Sequence, residues 1–216
     1  FYAKWMLDIQ DAQRPTGSVP DVAPAYWPFY TDNVTWPSSY IVIPGTIHDQ
    51  YGDVRVLAAH YPTMKKWIDF MTGFVKDDLM PRDTYGDWCV PPEDPRLIHS
   101  NDPARKTPGE LIATAYFAHD LKLMARYARL AGKGEDAPAF LALAERLTAG
   151  LNKKYLNAET GVYANGAQTA SVLPLAFDLV PAAERPRVFE RLVEKIEKES
   201  KGHVGTGLIG MQWLMR

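Results

Sequence analysis

The chain has 216 residues, 46% of them hydrophobic, 12% aromatic and 23% charged, a composition that belongs to a folded globular protein and excludes a disordered tail. Its 24 Lys and Arg stand against 26 Asp and Glu, so no net positive field exists to attract nucleic acid or anionic lipid, and neither is expected as a partner. The single Cys89 excludes an internal disulfide framework and a cysteine-rich zinc site, and no apolar run approaches the roughly 18 residues that span a bilayer, so no membrane insertion is expected.

In chain order, Phe1, Trp5, Leu7 or Ile9, and Ala12 fall at helical spacing and predict a first helix over 1–13. Arg14-Pro15-Thr16-Gly17 ends it. The stretch to Pro37 is too rich in proline for a helix and carries Trp27, Phe29, Tyr30 and Trp36; ordering such a loop costs backbone entropy that burial or a ligand must offset. Tyr40, Ile43, Ile47 and Tyr51 predict a second helix over 38–51. Asp53 is placed to cap a third over 54–73, where Val56, Ala59, Trp67, Phe70 and Met71 mark the apolar stripe and Gly52 turns the pair into a hairpin. The segment 74–108 has no sustained period, contains the run Pro91-Pro92-Glu93-Asp94-Pro95, and forms a second long loop.

The strongest helical pattern follows over 109–131, where Leu111, Ala115, Leu121, Met124 and Ala128 keep the 3.6 period and Gly132 closes it. A helix over 137–155 completes another hairpin, with Glu135 and Asp136 at its positive end. After a turn at 157–165 come helices over 169–179 and 183–199 and a glycine-punctuated run into a last helix over 208–215. No strand pair competes with this reading. The prediction is one all-α domain of about eight helices in hairpins, with loops 14–37 and 74–108 forming the working face. No 34- or 40-residue repeat recurs, which argues against a superhelical array. The start at Phe1 and the end at Arg216, directly after a helix-like run, lead us to expect a piece of a longer protein.

Trp36, in Thr35-Trp36-Pro37-Ser38, and Trp88, in Gly86-Asp87-Trp88, sit among small or polar neighbours in loops, unlike Trp5, Trp67 and Trp213 on helical stripes, which read as core. An indole stacked on the apolar face of a pyranose, with carboxylates gripping hydroxyls, makes a sugar pocket. The bland alternative is that each indole seals its loop. Among the carboxylates of the two loops (Asp21, Asp32, Asp83, Asp87, Glu93 and Asp94), Asp87 stands out between Gly86 and Trp88, and Asp32 and Asp87 are candidate hydroxyl contacts. His203, in a glycine-rich turn before the last helix, is a candidate ligand contact or an exposed cap. His48, His60, His99 and His119 lack metal spacing, so no metal is expected. Gly205, Gly207 and Gly210 follow no strand and lack a Lys-Ser/Thr pair, so the phosphate-loop reading fails. Cys89 has no evident base partner. No cofactor is expected.

Taken in order, Phe1-Tyr2-Ala3-Lys4-Trp5, Gly17-Ser18-Val19-Pro20, Trp36, Tyr51-Gly52-Asp53-Val54-Arg55, His60-Tyr61-Pro62-Thr63-Met64, Gly86-Asp87-Trp88, Gln168-Thr169-Ala170 and His203-Val204-Gly205-Thr206-Gly207 resemble the catalytic domain of bacterial α-L-rhamnosidases, glycoside hydrolase family 78. The resemblance implies an (α/α)6 toroid of six hairpins, a rhamnose-containing glycoside or polysaccharide as substrate, and inverting hydrolysis of terminal α-L-rhamnosides by one acid and one base. It carries a pocket-lining role to Trp36 and Trp88. It places the general acid upstream of Phe1 and the base downstream of Arg216, so the segment alone is expected to be inactive. Thr35-Trp36-Pro37-Ser38-Ser39 departs from the more usual Gly-Trp-Gly-Asp-Ala, which implies an altered subsite. The alternatives are another six-hairpin sugar enzyme (a glucosidase, an unsaturated glucuronyl hydrolase or a lyase) and a non-catalytic carbohydrate-binding scaffold. Cysteine usage leaves the compartment open; a periplasmic or extracellular site is favoured over a cytoplasmic one.

Overall fold

The computed structural model describes residues 1–81 and 83–216. Among them are eight α-helices: α1 (Tyr2–Ala12), α2 (Ser39–Tyr51), α3 (Arg55–Thr72), α4 (Gly109–Leu130), α5 (Ala137–Tyr155), α6 (Gln168–Ala176), α7 (Arg185–Glu194) and α8 (Leu208–Leu214). No helix of the described residues is long and apolar enough to cross a membrane. The chain divides into two compact units, residues 1–80 with 116–147 and residues 81–115 with 148–216.

In the first unit α1, α2 and α3 pack on one another. Of the stripe expected of α3, Trp67 and Met71 are buried, whereas Val56 and Phe70 are half-buried and Ala59 is exposed, because the inward face runs instead through Leu57, Met64, Trp67, Ile68 and Met71. Trp67 meets Phe117 edge-on with ring centroids 6.5 Å apart. Gly52 ends α2 in the left-handed conformation at φ 67°, which glycine adopts without steric cost. The N-cap of α3 is Val54, not Asp53 as expected, and carries no side-chain cap bond; Asp53, one residue earlier, accepts the Arg55 N–H at 2.9 Å. Pro44 inside α2 removes one backbone donor, and beside it Gly45 lets α4 come close: a Cβ at Gly45 would stand 2.1 Å from the Tyr127 hydroxyl, which donates to the Ile41 carbonyl at 2.8 Å. Gln13 ties the end of α1 to α3, its amide donating to the Gly17 and Thr63 carbonyls at 3.0 Å each.

In the second unit α6 packs against α7 and α8, and its residues from Gln168 to Pro174 are all buried. A five-residue π-helical turn, Lys195–Glu199, extends α7. One expectation is corrected here, because a small antiparallel hairpin joins α5 to α6, with β1 (Leu156–Asn157) opposite β2 (Val162–Tyr163). Asn157 makes it possible: its side-chain oxygen accepts the N–H groups of Glu159 and Thr160 at 3.0 and 3.1 Å, an Asx turn that closes the loop locally. Two residues per strand are too few to leave a period-2 pattern.

Candidate functional site

The candidate residues fall in both units, Asp32 and Trp36 in the first and Asp87, Trp88 and His203 in the second.

Trp36 lies half-buried in the turn that opens α2. The turn is fixed from within: the Ser38 N–H donates to the Val34 carbonyl at 2.9 Å and the Ser39 N–H to the Trp36 carbonyl at 3.1 Å, while Asn33, Val34 and Thr35 are buried. Beneath it the Ser38 hydroxyl lies 2.8 Å from the Val34 carbonyl and 2.5 Å from Oδ2 of Asp120 on α4. Asp32 sits at φ 54° and accepts the Ser18 hydroxyl at 2.6 Å. The rest of the 14–37 loop is stapled down by Tyr30, whose hydroxyl donates to the Ala12 carbonyl at 2.7 Å and whose ring lies 3.6 Å from the Arg14 guanidinium carbon. At its tip Tyr26 and Trp27 stand exposed, edge to face at 5.2 Å.

In the second unit Gly86, at φ 61°, turns the loop so that Asp87 points inward and Trp88 outward. Asp87 is 8% exposed, and both of its oxygens are engaged. Oδ2 accepts the Thr169 hydroxyl and the Gly207 N–H (2.8 Å), and Oδ1 accepts the N–H groups of Ile209 (3.1 Å) and Gly210 (3.0 Å). A carboxylate has about four acceptor positions, and here four donors fill them. Asp87 therefore holds the start of α8 against α6, a task different from the free, hydroxyl-gripping carboxylate expected from its loop position. Its neighbour Trp88 is 48% exposed, lies nearly parallel to the Tyr85 ring with centroids 6.2 Å apart, and accepts the Leu208 N–H on its carbonyl at 2.7 Å.

The approach is so close that only glycine fits. A Cβ at Gly207 would stand 2.2 Å from the Trp88 carbonyl oxygen, and one at Gly210 would stand 2.0 Å from the Thr169 hydroxyl. This explains the glycine spacing that matched no phosphate loop. Thr169, Gly207 and Gly210 are the site-forming residues that local reading missed; the glycine spacing was visible, but its partner strip lay some 120 residues away.

Gln168 organises the His203 turn, donating to the Ser200 hydroxyl and the His203 carbonyl at 3.1 Å each and accepting the Gly205 N–H at 2.8 Å. The His203 backbone is thereby pinned while its imidazole is exposed, at the edge of a cavity of about 690 Å³ also lined by Pro91, Arg105, Gln168 and Lys195. Other carboxylates of the 74–108 loop are committed locally. Asp83 accepts the N–H groups of Tyr85 and Gly86 at 3.2 and 3.1 Å, Glu93 accepts the Ser100 hydroxyl at 2.6 Å, and Asp94 pairs with Arg96 at 2.6 Å. The Ser100 hydrogen bond draws Glu93 below its ordinary titration range, and the Arg96 guanidinium does the same for Asp94. Both are pushed away from the protonated form that a general acid must hold near neutrality.

The family described as bacterial alpha-L-rhamnosidase 6 hairpin glycosidase domain matches residues 1–216. An alpha-L-rhamnosidase of Streptomyces avermitilis is 34% identical over 215 residues, covering all of this chain and 19% of that protein; one of Formosa agariphila is 30% identical over 211 residues, covering 97% and 22%. The chain thus spans about one fifth of these curated relatives. Among solved structures, the Streptomyces avermitilis alpha-L-rhamnosidase complexed with L-rhamnose superposes with a TM-score of 0.86 at 34% identity, over 98% of this chain and 19% of that one. The structure of the alpha-L-rhamnosidase from Dictyoglumus thermophilum gives 0.89 at 34% identity, over 99% and 23%.

Proposed function

Because this chain belongs to the bacterial α-L-rhamnosidase six-hairpin glycosidase family, we propose that the protein carrying it hydrolyses terminal α-L-rhamnosides with inversion, and that this chain supplies part of the sugar pocket. The observation that carries the proposal is the way the Asp87 knot presents Trp88. A buried carboxylate with four donors leaves its neighbouring indole rigid and half-exposed, as a platform for the apolar face of a pyranose must be. In the second unit His203 offers a further polar contact to sugar hydroxyls, and the first unit by itself offers an aromatic face on Trp36 and a carboxylate on Asp32. Asp87 serves the site by holding Trp88.

The acid and base of an inverting hydrolase stand about 6.5 to 9.5 Å apart, one of them kept protonated. The engagement of Asp83, Asp87, Glu93 and Asp94 described above supports assigning that pair to parts of the protein outside these 216 residues, with this chain contributing binding and orientation. The test is W88A and W36A in the full-length protein with an aryl α-L-rhamnoside. Each is expected to lower kcat/KM about 10- to 100-fold, while W27A at the exposed loop tip leaves it near wild type. Unchanged turnover in both W88A and W36A would remove these residues from the pocket.

A further inference from the structure

Asp120 is fully buried on α4, and no Lys, Arg or His among the described residues neutralises it. Its Oδ2 lies 2.5 Å from the Ser38 hydroxyl, and its Oδ1 is buried without a hydrogen-bond partner. The same hydroxyl lies 2.8 Å from the Val34 carbonyl. Ser38 has one hydroxyl proton and two close oxygen neighbours. Were Asp120 ionised, that proton would turn to the carboxylate. The hydroxyl and carbonyl oxygens would then face each other at 2.8 Å with no hydrogen between them, and a full charge would lie in apolar surroundings. Were Asp120 protonated, its O–H would donate to Ser38 Oγ and the Ser38 O–H to Val34, so both contacts would be hydrogen bonds. We propose that Asp120 is held as a neutral carboxylic acid at neutral pH and donates through Ser38 to Val34, which makes it a positioning residue for the turn that carries Trp36.

The surrounding groups agree. Burial drives the Asp120 carboxyl well above the usual carboxylate range, with the Ser38 contact a smaller opposing influence. On α4, the Tyr127 hydroxyl is given to the Ile41 carbonyl. His119 and Lys122 are half-buried neighbours in sequence. On α2, Tyr40 is pushed up to about 12 by burial and shares a hydrogen bond with Thr63; on α3, burial holds His60 toward its neutral form. None of them offers Asp120 a positive charge.

The effect on turnover rests on the Trp36 role proposed above, whereas the protonation does not. The experiment compares wild type, D120N and D120A in the full-length protein. At about pH 7, where ordinary carboxyls are ionised, the infrared difference spectrum of wild type minus D120N is expected to show the C=O stretch of a protonated carboxylic acid. D120N places an N–H donor where the acid O–H was, so it is expected to melt within about 2 °C of wild type and to keep rhamnoside turnover within about twofold. D120A has no donor; its kcat/KM is expected to fall about tenfold or more as the Trp36 turn loosens. Absence of the carboxylic-acid band, or D120N as damaging as D120A, overturns the proposal. If wild type turns over no rhamnoside, the infrared and melting results still decide the protonation, and only the functional reading falls.

Discussion

The carboxylate of Asp87 accepts the backbone N–H of Gly207 at 2.8 Å across 120 residues of sequence. This bond and the three others to Asp87 are buried, so removing the acceptor leaves amide donors without water. D87N keeps the shape but points an NH2 group at N–H donors. We expect D87N and D87A each to destabilise the second unit by about 3 kcal/mol, seen as a lower denaturant midpoint. A loss under about 1 kcal/mol would show that the knot is not the anchor described here.

The close approach at Gly207 and Gly210 makes a second expectation. G207A forces a Cβ onto the backbone carbonyl of Trp88, which cannot swing aside, and should cost at least about 2 kcal/mol. G134A is the contrast, since nothing lies within 4 Å of its added Cβ and its φ is not left-handed; it should be neutral or stabilising by up to about 1 kcal/mol. Urea titrations of the two variants side by side decide this, and equal midpoints would refute it.

Gly45 offers a cycle. A Cβ there meets the Tyr127 hydroxyl oxygen at 2.1 Å but the ring carbon bearing it only at 3.2 Å, so G45A should be much less costly in a Y127F background. The coupling expected from the double-mutant cycle is about 1 to 3 kcal/mol. Strict additivity would mean that the helices separate instead of clashing.

Asp120 sets a pH dependence whose sign follows from burial. Its folded-state pKa is raised above the unfolded value, so its stabilising contribution is fully present below the unfolded pKa of about 3.9. That contribution is lost as pH rises toward the folded value, because the folded state then binds more protons than the unfolded one. Relative to D120N, wild type should lose up to about 1.4 kcal/mol per pH unit across that window. Chemical denaturation of both proteins at several pH values measures the difference, and parallel curves would show that Asp120 does not titrate anomalously.

Most of the helical framework was legible in the sequence because helix periodicity is local. The spacing from Tyr40 to Tyr51 and from Leu111 to Ala128 predicted α2 and α4 to within about a residue. The later ends drifted where neighbours intervened: α6 stops at Ala176, before the left-handed Asp178, and α7 starts at Arg185 with Pro186 in its first turn. The inward turn of Asp87 was not legible, because its partners lie at 169 and 207–210 and leave no periodic trace near 87. Trp5 and Trp213 were read as core from their stripes, yet both are half-buried: the Trp5 indole donates to the Ala23 carbonyl at 2.9 Å, and Trp213 meets Phe177 edge-on at 4.6 Å. A stripe identifies the inward face of a helix without showing how deeply it is covered.

The distance in sequence between Asp87 and its donors also sets a timetable for synthesis. At roughly 5 to 20 residues per second, the ribosome delivers Gly207 on the order of ten seconds after Asp87, and Thr169 a few seconds before Gly207. Through that interval the strip 86–88 has emerged, but every donor that will hold its carboxylate is still to come. A nascent chain stalled before residue 168 should therefore be cut readily by protease around Trp88, while one released after Arg216 should resist.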